Sequence, residues 1–286
     1  MRIFALLLVA LPSLWGEIVW TQEMRKSGLR DPFELALQYT AYEKTLELAN
    51  GGDADAKYKM GEYYEQGFAT DINIEKAARW YQSAAEVGHI EGAKKIGRMY
   101  EEGVGVAKDS YSAFKWYKVA ADKGDTAAMS MLGDLLLFGA MQVRDYKEAL
   151  RWYELAAKAE NPNAIRNMGT MYATGRGVTK NSKKALELYL KAAEMGDAKA
   201  QYNLGVSHLK GWGVEIDVAQ GLRWLVRASE GGHADAKCIL ANRYAAGDGV
   251  ERDIKMATRL ADEGNKLGGL FCKEVWMAFK LYEVTP

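Results

Sequence analysis

The chain has 286 residues, and its 38 lysines and arginines are matched by 38 aspartates and glutamates. No net field therefore draws it to nucleic acid or to an anionic membrane. An apolar fraction of 49% is enough for a core, and 29 glycines against 4 prolines suit many short turns between helices better than a disordered linker.

In chain order, the first segment stands apart from the rest. Arg2 precedes an apolar run from Ile3 to Leu11, then come Pro12, Ser13 and Leu14-Trp15-Gly16 before the first acid, Glu17. A basic start, a short apolar stretch, a turn and a small residue form the layout of a secretory signal peptide, with cleavage expected after Gly16. Leu14 and Trp15 are bulky for a cleavage site, so an uncleaved anchor is the alternative. The run is shorter than the roughly 20 apolar residues a span needs, and Pro12 breaks it. Residues 1–16 are therefore read as a signal peptide, and the mature chain is expected in the periplasm or secreted, without stable membrane insertion.

Residues 17–52 read as an N-terminal capping segment. Asp31-Pro32 has the cap residue and first-turn proline of a helix start. Ala41, Leu48, Ala49 and Gly52 lie one period upstream of a pattern that then repeats. Gly61, Gly97, Gly133, Gly169 and Gly205 are spaced 36 apart, with Ala241 in the next place. Ala77, Ala113, Ala149, Ala185, Gly221 and Ala257 keep the same interval, as do Asn73, Asp109, Asp145, Asn181, Asp217 and Asp253. The last series consists only of residues that cap helix N-termini.

Each of the six copies reads as two helices. In the first, Ala56, Met60 and Tyr64 mark a short helix that Gly67 ends in a left-handed residue. The second follows Asn73 and carries Ala77, Trp80, Tyr81, Ala84, Ala85 and Gly88, an apolar stripe at helical spacing. The bulky pair recurs as Trp116-Tyr117, Trp152-Tyr153 and Trp224-Leu225, while the small pairs Ala120-Ala121, Ala156-Ala157 and Ala192-Ala193 leave room for the next helix to approach. The series glycines are expected to let the first helix approach the second closely. Beyond Gly268-Gly269, the stretch from Leu270 to Tyr282 reads as a first helix without its partner, so residues 269–286 form a C-terminal capping helix. The fold expected is an all-α, α/α solenoid of six 36-residue hairpins over residues 53–268, closed at both ends by atypical half-repeats.

No residue pattern points to catalysis. His89 and His233 share one repeat position with Asp125, Asn161, Asp197 and Gly269, a linker position. His208 replaces Tyr64, Tyr100 and Tyr172 and is expected to pack inside its hairpin. The recurring carboxylates fall at caps, and an acid pair assembled from neighbouring repeats is not singled out by any position. Gly103 to Gly105 and Gly175 to Gly177 lack the strand and the Lys-Ser/Thr sequel of a phosphate loop. Two cysteines without a histidine cluster do not make a zinc site, so neither metal nor cofactor is expected. Cys238 and Cys272 fall on what should be adjacent first helices, as a disulfide or as two separate buried thiols.

The combination Gly103-x-Gly105-Val106, Asp109, Ala113, Trp116-Tyr117, Ala120-Ala121 and Gly124 resembles the SEL-like repeat family, a branch of the tetratricopeptide-type solenoids. Phe68-Ala69-Thr70 and Ala140-Met141-Gln142 replace the glycine turn in repeats one and three, so those loops are expected to differ in shape. The resemblance implies a right-handed superhelix whose first helices line a concave, partner-binding side. By that register the groove carries Tyr58, Glu62, Lys94, Arg98, Asp134, Phe138, Arg166, Thr170, Tyr202 and Val206. Leu135, Leu137 and Phe138 make an apolar candidate patch, and Trp212, between two turn glycines, is a candidate anchor. The resemblance further implies a non-enzymatic protein-binding scaffold, monomeric when free. Exported members act as interaction scaffolds, as regulators of envelope signalling, or as immunity proteins that neutralise lipase-type toxins of type VI secretion. The immunity role is the sharpest expectation; a periplasmic regulator or adaptor and a cell-wall enzyme are the alternatives. The chain lacks the repeated cysteine pairs of the relatives for which the enzyme role has been proposed.

Overall fold

The computed structural model describes residues 32–138 and 144–280. The expected signal peptide, the cap at Asp31 and the turn at Ala140-Met141-Gln142 lie outside the described residues. Among the described residues the regular structure is entirely helical. A lone helix, α1 (Pro32–Asn50), precedes six hairpins: α2 (Ala54–Gln66) with α3 (Ile74–Glu86), α4 (Ile90–Glu102) with α5 (Ser110–Ala121), and α6 (Thr126–Phe138) with α7 (Tyr146–Lys158), then α8 (Pro162–Thr174) with α9 (Ser182–Glu194), α10 (Ala198–Lys210) with α11 (Val218–Glu230), and α12 (Ala234–Ala246) with α13 (Ile254–Lys266). A short α14 (Cys272–Ala278) ends the described chain. The helices divide at Ala128 and Met129, inside α6, into two compact units, and each is described by itself.

The Asn/Asp series does what side-chain acceptors at N-caps do. The carboxylate or amide of Asn73, Asp109, Asp145, Asn181, Asp217 and Asp253 accepts from a backbone N–H in the first turn of each second helix. First helices end on Gly67, Gly103, Gly175, Gly211 and Gly247, all left-handed with φ between 73° and 79°, a conformation glycine adopts without Cβ strain.

Within a hairpin the series glycines receive a buried aromatic ring. A Cβ on Gly97 would lie 2.7 Å from the Tyr117 ring, and one on Gly169 would lie 2.8 Å from Tyr189. Gly61 faces Tyr81 and Gly133 faces Tyr153 in the same way, while Gly205 meets Leu225. In the sixth copy alanine is tolerated at 241 because the ring position is Ala261, both fully buried. Tyr81, Tyr117 and Tyr153 are the largest side chains with essentially no exposure, and each hydroxyl finds an acceptor: Glu65 at 2.7 Å, Glu101 at 2.7 Å and Asp134 at 2.5 Å. Burial, reinforced by the carboxylate, pushes these phenols far above their ordinary value, so they act only as donors.

Three expectations are corrected. The turn of repeat one keeps the left-handed backbone despite losing its glycine: Ala69 has φ 53°, close to the 70° of Gly105 and 71° of Gly177. The loop geometry is fixed by the packing on either side, and the alanine carries the strain. Second, Leu135 and Leu137 do not form a surface patch. Both are buried, and of the three only Phe138 is exposed. Third, α14 starts at Cys272, two residues later than the first-helix register, without a side-chain cap. The N-cap is Phe271, and the repeat's own cap position, Gly269, offers no side-chain acceptor; the Asp235 carboxylate accepts from the Leu270 N–H at 2.9 Å. At the other end, Ala49 is buried as its register requires, but Ala41 and Leu48 are exposed.

Candidate functional site

A first-helix residue and the N-cap of the next first helix, 31 positions later, form one recurrent slot. In the N-terminal unit Tyr58 stacks on His89 at 4.7 Å, and Lys94 pairs with Asp125 at 3.0 Å. In the C-terminal unit Arg166 pairs with Asp197 at 3.1 Å, and Tyr202 stacks on His233 at 4.3 Å. The cap must offer an acceptor to the helix. A carboxylate does so and leaves a charge for a cation; a histidine does so through Nδ1 and leaves a ring face for an aromatic. His89 Nδ1 accepts from the Gly92 N–H at 2.9 Å and His233 Nδ1 from the Ala236 N–H at 3.3 Å. Both imidazoles therefore serve as caps through Nδ1, and the position read as a linker is a helix start. Burial moves His233 below its ordinary value, consistent with that role. His208 is half-buried on α10, with its Nδ1 buried and unbonded.

In the sixth slot Cys238 faces Gly269, and its sulfur forms a disulfide with Cys272, 34 positions on. Both cysteines are buried, and two glycines make room for the sulfurs. A Cβ on Gly269 would lie 2.5 Å from Cys238 Sγ, and one on Gly264 would collide with Cys272. Gly264 replaces the small-pair alanine of other copies where Cys272 replaces a small residue of the facing helix, so the exchange is compensated across the contact.

The slots take Tyr58, Lys94, Arg166 and Tyr202 from the expected groove, and other bonds within the chain take Glu62, Arg98, Asp134 and Thr170. Arg166 is a correction: its side chain, like that of Asp197, is only 10% exposed, and it also bonds to Asn167. A cation that close to a buried cap carboxylate is held by it rather than offered to a partner. Lys94 is likewise occupied, between Glu91 and Asp125. Asp134 accepts from both Tyr153 and Asn167, and Thr170 accepts from Tyr189. Arg98 is exposed but bound to Glu102, and Glu62 to Lys59. Tyr58 and Tyr202 lie half-buried in their stacks. Sequence reasoning missed the slot, although its signal was present: aromatic with histidine, cation with aspartate, Ser130 with Asn161 and cysteine with glycine vary together at an offset of 31.

Two hollows in the C-terminal unit share Tyr202 and Val206. One, of about 480 Å³, lies among α8, α9 and α10, with Trp212 on its rim; the other, of about 570 Å³, lies among α10, α12 and α14. Trp212 is 60% exposed and Phe271 51% exposed. Among the described residues no cluster of histidine, cysteine and carboxylates is suited to a metal ion, and no helix is long and apolar enough to cross a membrane.

Hairpins repeating without insertion, with a shared capping and packing scheme and irregular side chains on the first-helix face, define an α/α-repeat scaffold. The chain belongs to the Sel1 repeat family. The Sel1 repeat pattern matches residues 54–89, 90–125, 126–161, 162–197, 198–233 and 234–268. Among solved structures it is similar to c5321, a protective antigen present in uropathogenic Escherichia coli strains and displaying an SLR fold, with 32% identity and a TM-score of 0.68; the match covers 81% of this chain but only 50% of that one. A Sel1 repeat protein from Oxalobacter formigenes is 28% identical over 78% of this chain and 96% of its own, with a TM-score of 0.68. The immunity protein Pa5087 from Pseudomonas aeruginosa shares the fold at 20% identity, over 75% of this chain and 81% of its own, with a TM-score of 0.54. No curated protein matches the chain.

Proposed function

We propose that the chain is an exported, non-enzymatic scaffold that binds one partner protein and inhibits it, acting as an immunity protein against a lipase-type toxin. The observation that carries this reading is the chemistry of the surface left open once the slots are filled. Around Tyr202 and Val206 it is aromatic and aliphatic, with Trp212 and Phe271 standing out into solvent. Large exposed aromatics beside an apolar hollow are the makings of a binding hot spot, whereas general acid–base catalysis needs a paired titratable group in a cleft. The histidines, the natural candidates, are occupied as caps or packed. That an immunity protein shares this fold adds support, as does the signal-peptide layout of residues 1–16 for export.

The test uses the chain from residue 17 as bait in envelope and secreted fractions of its own source. A single protein retained in stoichiometric amount, and losing its hydrolytic activity on titration with the chain, is the expected result. Retention of no protein, or hydrolysis of lipid or muropeptide by the purified chain alone, would overturn the reading.

A further inference from the structure

The last described helix is weakly supported by its own contacts. In the C-terminal unit α8, α10 and α12 each run 13 residues and pack against the second helix that follows them. α14 has 7, and no second helix follows it among the described residues. A helix of that length does not hold by itself in water. Its N-cap, Phe271, makes no side-chain hydrogen bond. Val275 is buried, and Trp276 and Phe279 are half-buried, against the apolar cluster of α11, α12 and α13, but Leu270, Phe271 and Met277 stand exposed. These few apolar contacts are set against the entropy of ordering the whole segment. What ties it down is the bond from Cys272, its first residue, to Cys238 within α12. The end so held gives the second hollow one wall, through Phe271, Glu274, Val275 and Ala278.

We infer that Cys238 and Cys272 form a redox latch: α14 docks, and the wall of the second hollow is completed, only once the two thiols have been oxidised, so the finished C-terminal end belongs to an oxidising compartment. With the pair reduced, α14 leaves the end of the apolar cluster open to water. The closing step is a thiol–disulfide exchange with a disulfide oxidant, protein or small molecule. One cysteine thiolate attacks the disulfide of the oxidant, forming a mixed disulfide and releasing one oxidant thiolate; the second cysteine thiolate attacks the sulfur of the first and releases the other. The chain gives up two electrons and two protons, which the oxidant carries away as a dithiol. Gly264 and Gly269 let the latch close, since a Cβ at either place would meet a sulfur. Once closed, both cysteines are buried, so a reductant reaches the bond only after α14 has opened. The latch is set as the chain folds, and it is independent of what the chain binds.

Amide hydrogen exchange of the full chain, read by mass spectrometry on peptic fragments, tests the latch. With the bond intact, the Val275 and Phe279 N–H groups donate to Phe271 and Val275. Once dithiothreitol has reduced the pair, the fragment over residues 270–280 should exchange as unstructured chain does, at least about a hundredfold faster than before, while α12 and α13 remain protected. Trypsin should then cut after Lys273 in the reduced chain and spare that bond in the oxidised one. Oxidised glutathione, added after removal of the dithiothreitol, should restore the protection of α14. A Cys238→Ala, Cys272→Ala chain should match the reduced chain with or without reductant; alanine already stands at the place of Cys272 in the copies carrying Ala164, Ala200 and Ala236, and the dithiothreitol arm needs no substitution at all. Reduced glutathione should cut the native bond no faster than the α14 amides exchange. Protection of α14 persisting in the reduced chain, its loss only together with that of α12 and α13, or reduction of the native bond faster than the α14 amides exchange would overturn the latch.

Discussion

Replacing Gly97 by alanine separates two opposed effects that the structure allows to be weighed. In an open helix interior, Gly→Ala stabilises by about 1 kcal/mol. Here the new methyl would stand 2.7 Å from two carbons of the Tyr117 ring, against the 3.4 Å at which ordinary contact begins. The ring is fully buried, and its hydroxyl is tied to Glu101 at 2.7 Å. Moving it aside costs the overpacking of a filled core, typically 1–3 kcal/mol, and stretches a hydrogen bond to a carboxylate worth about 1.5–3 kcal/mol. The net expectation is a loss of about 1–3 kcal/mol by these same terms, read by urea unfolding of the full chain followed by circular dichroism. In a Tyr117→Ala background the same substitution should be neutral or stabilising, since Ala241 facing Ala261 shows the pair packs without a ring. Stabilisation in the unaltered chain, or an equal effect in both backgrounds, would refute the reasoning.

Arg166→Met should cost the C-terminal unit several kcal/mol, approaching the roughly 3–5 kcal/mol of a broken buried pair, because Asp197 is left as an unpaired buried cap; Lys59→Met, at an exposed pair, should change stability by less than about 1 kcal/mol. Reducing the Cys238–Cys272 bond, which spans 34 positions, should lower the stability of that unit by up to about 4 kcal/mol in the chain-entropy treatment, visible as a lower unfolding midpoint with reductant and absent in a Cys238→Ala, Cys272→Ala chain. His233 gives a pH dependence. Its folded value lies below the ordinary 6.5, so its contribution is complete above about pH 6.5 and is lost as the pH falls through the depressed folded value, because the unfolded chain takes up the proton first. His233→Asn, which keeps a cap acceptor, should flatten the acid side of the stability profile.

Much of the fold was legible because the same physical demand recurs every 36 residues. Asn73 and its five successors announce helix starts, and Gly67 and its counterparts announce helix ends, in a way single copies would not. The face was harder to read. Arg166 occupies a groove position in a generic hairpin repeat, and only comparison of two series, one residue in a helix and one at the next cap, shows that it is consumed by Asp197. Leu135, Leu137 and Phe138 fall in one apolar run, but Leu135 and Leu137 are buried on nearly opposite sides of α6, and only Phe138, the last residue of the helix, is exposed. Ala69 was invisible for a different reason: a left-handed alanine is a compromise imposed by its neighbours, and sequence shows the residue without the packing that forces it. Trp212 was legible as a candidate anchor from its place between two turn glycines, but the hollows that meet at Tyr202 and Val206 are each built from three helices, which no periodicity reports.

The most direct test of the account is a calorimetric titration of the chain from residue 17 into the protein it retains from envelope or secreted fractions, with the hydrolytic activity of that protein followed in parallel. Saturation at one chain per partner, with activity falling in step with occupancy, is the predicted result. An interaction that leaves the activity of the partner unchanged at full occupancy would contradict the inhibitory role.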